Sequence, residues 1–235
     1  IVDTLLNVTA CSTVAYVETK AISAGALIAL ACNRLIMREA TTIGDVAPIM
    51  YSNEGPKMMG EKFQSPLRAK FRSLARKNGY PQTLSEAMVT KEMIVYKVTF
   101  PDTVLYLDSL AFAELPAARR AQVASKVTVV ARGELLTMDD EEARELGFSD
   151  ASVQSLEQYI DSVIAAPHRI VRLEQSWSET FVRFIGTIAP ILMMIGFAAL
   201  YIEIRTPGFG VPGIAGVICL GLVFMSQYMV GLANY

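Results

Sequence analysis

The chain is short of histidine and cysteine, and its last quarter is almost without charge. His168 is the single histidine in 235 residues, set in a polar stretch beside Pro167, and it reads as a surface residue. A Ser-His-Asp triad therefore has no imidazole to draw on. The three cysteines, Cys11, Cys32 and Cys219, make no disulfide framework and show no metal-ligand spacing. Cys11 and Cys32 suit small buried positions, and Cys219 sits in an apolar run. Neither a metal nor a cofactor is expected. Charge of one sign is not in excess either: 21 Lys and Arg against 23 Asp and Glu leave no electrostatic case for a nucleic-acid partner.

The loss of charge is local. Residues 1–184 mix charged and apolar side chains as a soluble domain does, whereas from Ile185 to Tyr235 the only charges are Glu203 and Arg205. Residues 185–202 form an uncharged run about 27 Å long if helical, close to the ~30 Å hydrocarbon thickness. Pro190 is expected to kink it, which membrane helices tolerate when packed against neighbours. Residues 206–235 carry no charge, with a second span expected at 214–232. Between the spans RTPGFGVPG supplies the Pro and Gly of a tight reversal. The small residues Gly213, Ala215, Gly216, Gly221 and Gly231 permit close helix packing. The organisation expected is a domain over 1–165, a polar linker over 166–184 and a two-helix membrane hairpin over 185–235. The chain opens on Ile1 without a basic-then-apolar leader, which reads as a processed chain or a fragment.

Within the first part, residues 1–8 have helical spacing. Residues 13–18 suit a strand covered on both faces, residues 24–32 an all-round apolar and hence buried helix, and residues 35–37 a second strand. Strand, helix, strand at this spacing is a parallel βαβ unit. Residues 39–57 read as loop. A polar helix is expected over 61–78, its start drawn toward Ser65 by Pro66 and its end set by Gly79. A short helix over 83–90 has Thr83 and Glu86 as its capping box. A hairpin over 93–107, a strand over 127–131, a helix opening at Thr137 and ended by Gly147, and a helix over 155–164 complete an α/β domain.

Ser23 stands where a turn becomes the apolar helix, followed by Ala24, Gly25 and Ala26. Unpaired backbone N–H groups at a helix start favour negative charge, so an alkoxide or oxyanion could form there. Read locally, the helix cap is the favoured role of Ser23.

Several stretches in order resemble the NfeD-type membrane-bound serine proteases, whose soluble part has the ClpP/crotonase-like fold. TVAYVETKAISAGALIALACNRLIM followed by TTIGDVAPI is similar to the nucleophile segment, and EKFQSPLRAKFRSLARKNGY to the segment carrying the general base. RGELLTMDDEEARELGFSD resembles the closing segment, and IEIRTPGFGVPGIAG the membrane turn. The resemblance implies a Ser–Lys dyad of Ser23 and Lys62, with the Ala24 N–H as one oxyanion donor. An ordinary lysine, with a pKa near ~10.4, is a base at neutral pH only if its surroundings disfavour the ammonium; Phe63, Met58 and Met59 are the apolar groups expected to do so. Lys20 and Lys57 are the competing bases.

The family's Gly-Gly turn, which supplies the second oxyanion donor, would precede Ile1, as would the first strands of the domain. Later membrane helices and a small β-barrel carried by many relatives are also not in this sequence. A truncated, incomplete protease is therefore expected. Losing one oxyanion donor costs ~3 kcal/mol.

The expected activity is cleavage of apolar peptide segments of membrane proteins, a stomatin-like protein being the partner that the family suggests. Homo-oligomers through the ClpP-like domain are expected, with membrane lipid around the hairpin. Arg169, Arg172 and Arg183 before the first span would place the domain in the cytoplasm by the positive-inside rule; the resemblance implies a multi-pass cell-membrane protein with the domain outside, the topology kept here. The alternatives are a non-catalytic crotonase-like scaffold, a signal peptide peptidase relative, against which the downstream hairpin argues, and acyl-CoA chemistry, for which SAGA with a lysine is a poor match.

Overall fold

Val14, Tyr16 and Val17 are β-branched or aromatic, and with Ala15 they form the strand against which the helix Ala24–Ala31 packs. The computed structural model describes residues 1–52, 55–163, 169–173, 176–205 and 210–232. It divides into two units, Ile1–Pro167 and His168–Tyr235. The first contains α1 (Val2–Asn7), β1 (Val14–Val17), β2 (Lys20–Ile22), α2 (Ala24–Ala31), β3 (Arg34–Arg38) and β4 (Thr42–Gly44). Then come β5 (Ile49–Ser52), β6 (Gly55–Met58), α3 (Glu61–Asn78), α4 (Gln82–Ala87), β7 (Val95–Thr99) and β8 (Val104–Asp108). It closes with α5 (Ser109–Ala113), α6 (Ala117–Arg120), β9 (Ser125–Val130), β10 (Thr137–Asp139), α7 (Asp140–Glu145), β11 (Ser152–Val153) and α8 (Leu156–Val163).

β1 and β3 pair in parallel, Val14 against Arg34 through Val17 against Met37, with α2 crossing between them as the sequence predicts. β11 joins the far side of β3, also in parallel. A second sheet has the order β10-β4-β2, parallel between β2 and β4 and antiparallel between β4 and β10. The hairpin of β7 and β8 is found, and β9 pairs with the other edge of β7. Leu30, Leu35, Met37, Ile43, Phe71, Leu74, Leu84 and Met88 form one closed core between α2, α3, α4 and the sheets. Each such side chain contributes ~1.5–3 kcal/mol when withdrawn from water.

Several local expectations are corrected. The polar turn before Ser23 contains β2, and the loop over 39–57 contains β4 and the β5–β6 ribbon. α3 begins at Glu61, with Pro66 inside it. Proline has no N–H, so the Lys62 carbonyl four residues earlier loses its helical donor. Thr83 and Glu86 do not form a capping box: Pro81 is the N-cap of α4, and Glu86 accepts two hydrogen bonds from Arg72 at 2.6 and 2.8 Å. Thr137 begins a strand, and the capping box belongs to Asp139 and Glu142 at the start of α7. Cys11 is exposed rather than buried, whereas Cys32 is buried. His168 lies outside the described residues.

The second unit is a pair of helices, α9 (Trp177–Arg205) and α10 (Val211–Leu232), each long and apolar enough to cross a membrane. They pack through small residues. A Cβ on Gly196 would come within 2.8 Å of Leu220, and one on Gly216 within 2.8 Å of Leu200. Gly221 faces open space and Gly231 carries no described side-chain environment. Glu203 accepts hydrogen bonds from the N–H groups of Gly210 at 2.8 Å and Gly213 at 3.0 Å, so this carboxylate near the end of α9 satisfies donors at the start of α10.

At the end of β4, Gly44 has φ 134°, and a Cβ there would lie 2.3 Å from the Leu136 carbonyl oxygen. Gly44→Ala is therefore expected to destabilise the soluble unit by at least about 2 kcal/mol, from backbone strain and overpacking together. Thermal denaturation of the purified protein measures it; an unchanged midpoint would contradict this close approach.

Candidate functional site

The chain turns from β2 into α2 within one residue. That residue, Ser23, has φ 57° and ψ −118°, a conformation that costs a non-glycine residue about 1–3 kcal/mol and persists only where neighbours enforce it. Here the Ser23 N–H is shared between the carbonyl oxygens of Gly44 at 3.2 Å and Asp45 at 3.1 Å. The next residues are fixed in turn: Asp45 N–H donates to Leu136 O at 3.1 Å, and Val46 N–H to Met88 O at 2.8 Å. The corner is thus held by two strands and a buried helix end.

Ser23 occupies the N-cap position of α2, yet its side chain makes no capping hydrogen bond. Both Ser23 and Ala24 are exposed, while Ala26, Ala29, Leu30 and Ala31 are buried behind them. Leu27 N–H donates to Ser23 O at 3.3 Å, leaving the N–H groups of Ala24, Gly25 and Ala26 as the unpaired first turn. The partial positive charge of that turn lies beside a hydroxyl that caps nothing. Such an arrangement can stabilise an alkoxide at Ser23 and an oxyanion near Ala24 N–H.

Lys62 is the second residue of α3 and is exposed. It lies nine residues before the fully buried Phe71, about 180° away around the helix, so it faces away from the core. The apolar surroundings expected of it are not formed: Phe63 is 53% exposed, and Met58 and Met59 are only partly buried. Among the described residues no hydrogen bond joins Ser23 and Lys62. Asn78 Nδ2 donates to Leu30 O at 2.8 Å, tying the last turns of α2 and α3, so both helices direct their first turns away from that tie. Lys20 lies exposed in β2, and Lys57 pairs with Met50 across the β5–β6 ribbon.

A cavity of about 430 Å³ opens beside the corner, lined by Asp45, Met58, Lys91, Glu134 and Thr137 among others. Asp45 itself has φ 44°. Asp45 and Lys91 were not singled out from the sequence; the Gly44-Asp45 turn was the one available signal, and nothing local marks Lys91. Among the described residues no group of three or more His, Cys, Asp or Glu is placed to hold a metal.

Two family profiles match the chain, "NfeD1b, N-terminal domain" over residues 1–114 and "NfeD integral membrane domain" over residues 187–235. The chain is 28% identical over 223 residues to membrane protein NfeD1b of Bacillus subtilis (strain 168), covering 94% of this chain and 44% of that protein. It thus spans less than half the length of that relative. Among solved structures it resembles the 1510-N membrane-bound stomatin-specific protease, a lysine-to-alanine mutant in complex with a substrate peptide. That likeness has a TM-score of 0.52 at 18% identity, covering 78% of this chain and 74% of the other. A further likeness is to the 1510-N membrane protease specific for a stomatin homolog from Pyrococcus horikoshii, with a TM-score of 0.49, 15% identity, and 79% and 72% covered. The soluble unit has the ClpP-like fold of these protease domains.

The strain at Ser23 has a direct readout. Glycine adopts the observed corner without a Cβ penalty, so Ser23→Gly is expected to be more stable than Ser23→Ala by about 1 kcal/mol. Equal midpoints in thermal unfolding of the two variants would show that no strain is stored there.

Proposed function

From a chain that is an NfeD-family membrane protein with a ClpP-like domain, we propose the function of a membrane-anchored serine endopeptidase. Ser23 is the nucleophile, Lys62 the general base and Ala24 N–H an oxyanion donor. The observation that carries this reading is the Ser23 corner: a strained, exposed serine at a helix start whose hydroxyl is not used as a cap. A residue serving only as N-cap would donate its strain to no purpose and would bond the first turn. Lys62 has the support of its place in the first turn of α3, next to Glu61 at the cavity-lined edge of the site.

In the reaction a neutral Lys62 amine takes the Ser23 proton as Oγ attacks the scissile carbonyl. The tetrahedral oxyanion meets Ala24 N–H. The amine then returns the proton to the leaving nitrogen, and water hydrolyses the acyl-enzyme. The substrate is an extended apolar segment passing the β5–β6 ribbon, which exposes Ile49 and Met50 by about half. A stomatin-like membrane protein is the partner suggested by the fold likeness to a stomatin-specific protease. Homo-oligomers of the ClpP-like domain, a multi-pass anchor and an extracytoplasmic domain belong to the same proposal. The second reading, a non-catalytic scaffold, is favoured by one observation: the exposed Lys62, unbonded to Ser23.

Ser23→Ala and Lys62→Ala are each expected to lower cleavage of an apolar reporter peptide by about a hundredfold or more, with the fold unchanged by circular dichroism. A fluorophosphonate probe is expected to label Ser23. Full activity in Lys62→Ala would move the base to Lys57 or Lys91, and no labelling of Ser23 in the full-length protein would favour the scaffold.

A further inference from the structure

A second cavity, of about 530 Å³, adjoins the one at the Ser23 corner: Met58 lines both. We propose that it receives a long cationic side chain, lysine or arginine, of the bound peptide. This rests on the peptidase reading and gives it a substrate preference beyond apolar segments. The walls are Met58 and Met59, and the polar groups that line it include Glu61, Gln64 and Glu92.

Those groups present acceptors. Gln64 is 7% exposed and lines the cavity; its Nε2 donates to Met59 O at 2.7 Å, and its Oε1 accepts no hydrogen bond among the described residues. That oxygen is not among the buried atoms left without a partner, so it is open to the cavity and free to accept. Arg68, which does not line the cavity, is already engaged: it bonds the Glu61 carboxylate and donates to Thr90 Oγ1 at 3.1 Å. The positive end of α3 likewise faces Glu61, its first residue. Glu92 has no partner among the described residues. The lining holds two carboxylates and no cation, Glu61 engaged by Arg68 from outside it and Glu92 not.

An anion would meet Glu92 and the Gln64 carbonyl, and a purely apolar side chain would leave both unsatisfied. A lysine or arginine satisfies them: its methylenes lie along the two methionines and its head donates to Glu92 and Gln64 Oε1. Lys91 lines the neighbouring cavity and does not line this one.

The test uses the full chain with Ser23→Ala, so that peptides bind without turnover. Fluorescent apolar decapeptides carrying lysine, norleucine or glutamate at each position in turn are titrated by anisotropy. At one position the lysine peptide is expected to bind about tenfold tighter than the norleucine peptide, and Glu92→Gln, at an exposed residue, to remove most of that difference. Equal binding of lysine and norleucine at every position, a preference for glutamate, a difference that survives Glu92→Gln, or no binding of any peptide would overturn the proposal. Cleavage by the chain with Ser23 intact is read separately. Glu92-dependent lysine preference without cleavage sinks the peptidase and keeps the subsite; cleavage without lysine preference does the reverse.

Discussion

The site depends on one backbone constraint, the close approach of the β4–β10 pair beneath the start of α2. Gly44 has no Cβ, so the Leu136 carbonyl can sit against it. That places the carbonyls of Gly44 and Asp45 where both accept from Ser23 N–H. With its N–H fixed from below and the apolar body of α2 fixed from behind, Ser23 has no relaxed conformation available. It turns the corner at positive φ, with its hydroxyl outward. The strain is small beside the burial of Leu30, Leu35, Met37 and Phe71, and that core is what allows the corner to persist.

How far the sequence discloses this follows from where the stabilisation comes from. α2 and β3 are legible because their burial is written locally, in apolar runs, whereas β1 is legible as a strand from its β-formers but is not covered on both faces: only Val17 is buried and Val14 is exposed. The membrane helices are legible for the same reason, since a lack of charge over a helix length has few other meanings. β2, β4 and β10 are not: each has three residues and exists through partners far away in the chain, Lys20 with Thr42 and Thr137 with Gly44. Three residues carry no periodicity. The acidic residues after Thr137 suggest a helix start there, but the acidic first turn begins one strand later, at Asp140.

The two units apply the same rule in different solvents. In the soluble unit, buried donors are met by carbonyls and by capping carboxylates such as Asp139. In the hairpin, where lipid offers no partners, Glu203 reaches from α9 to the N–H groups of Gly210 and Gly213, and Gly213 leaves the space it needs. The isolated acid in an apolar stretch is thereby accounted for as a structural group of the turn. Gly196 and Gly216 allow α9 and α10 to approach, which leaves the larger side chains Phe197, Met194, Phe224 and Met225 pointing outward.

Lys62, the base that the resemblance implies, is exposed on α3, and as the proposed base it would need its water removed. On α3 it stands opposite Phe71, so the core that strains Ser23 cannot desolvate Lys62. Water around an exposed ammonium stabilises the protonated form, and only removal of that water favours the free amine. Within this chain the groups near enough in sequence to help are Met58, Met59 and Phe63, all partly exposed. They present apolar surface that nothing in the soluble unit covers completely. A peptide lying along the β5–β6 ribbon and into the cavities at Met58 would cover that surface and exclude water from the first turn of α3. In the peptidase proposed above, the fold would then set the nucleophile and the bound peptide, by excluding water, would set the base.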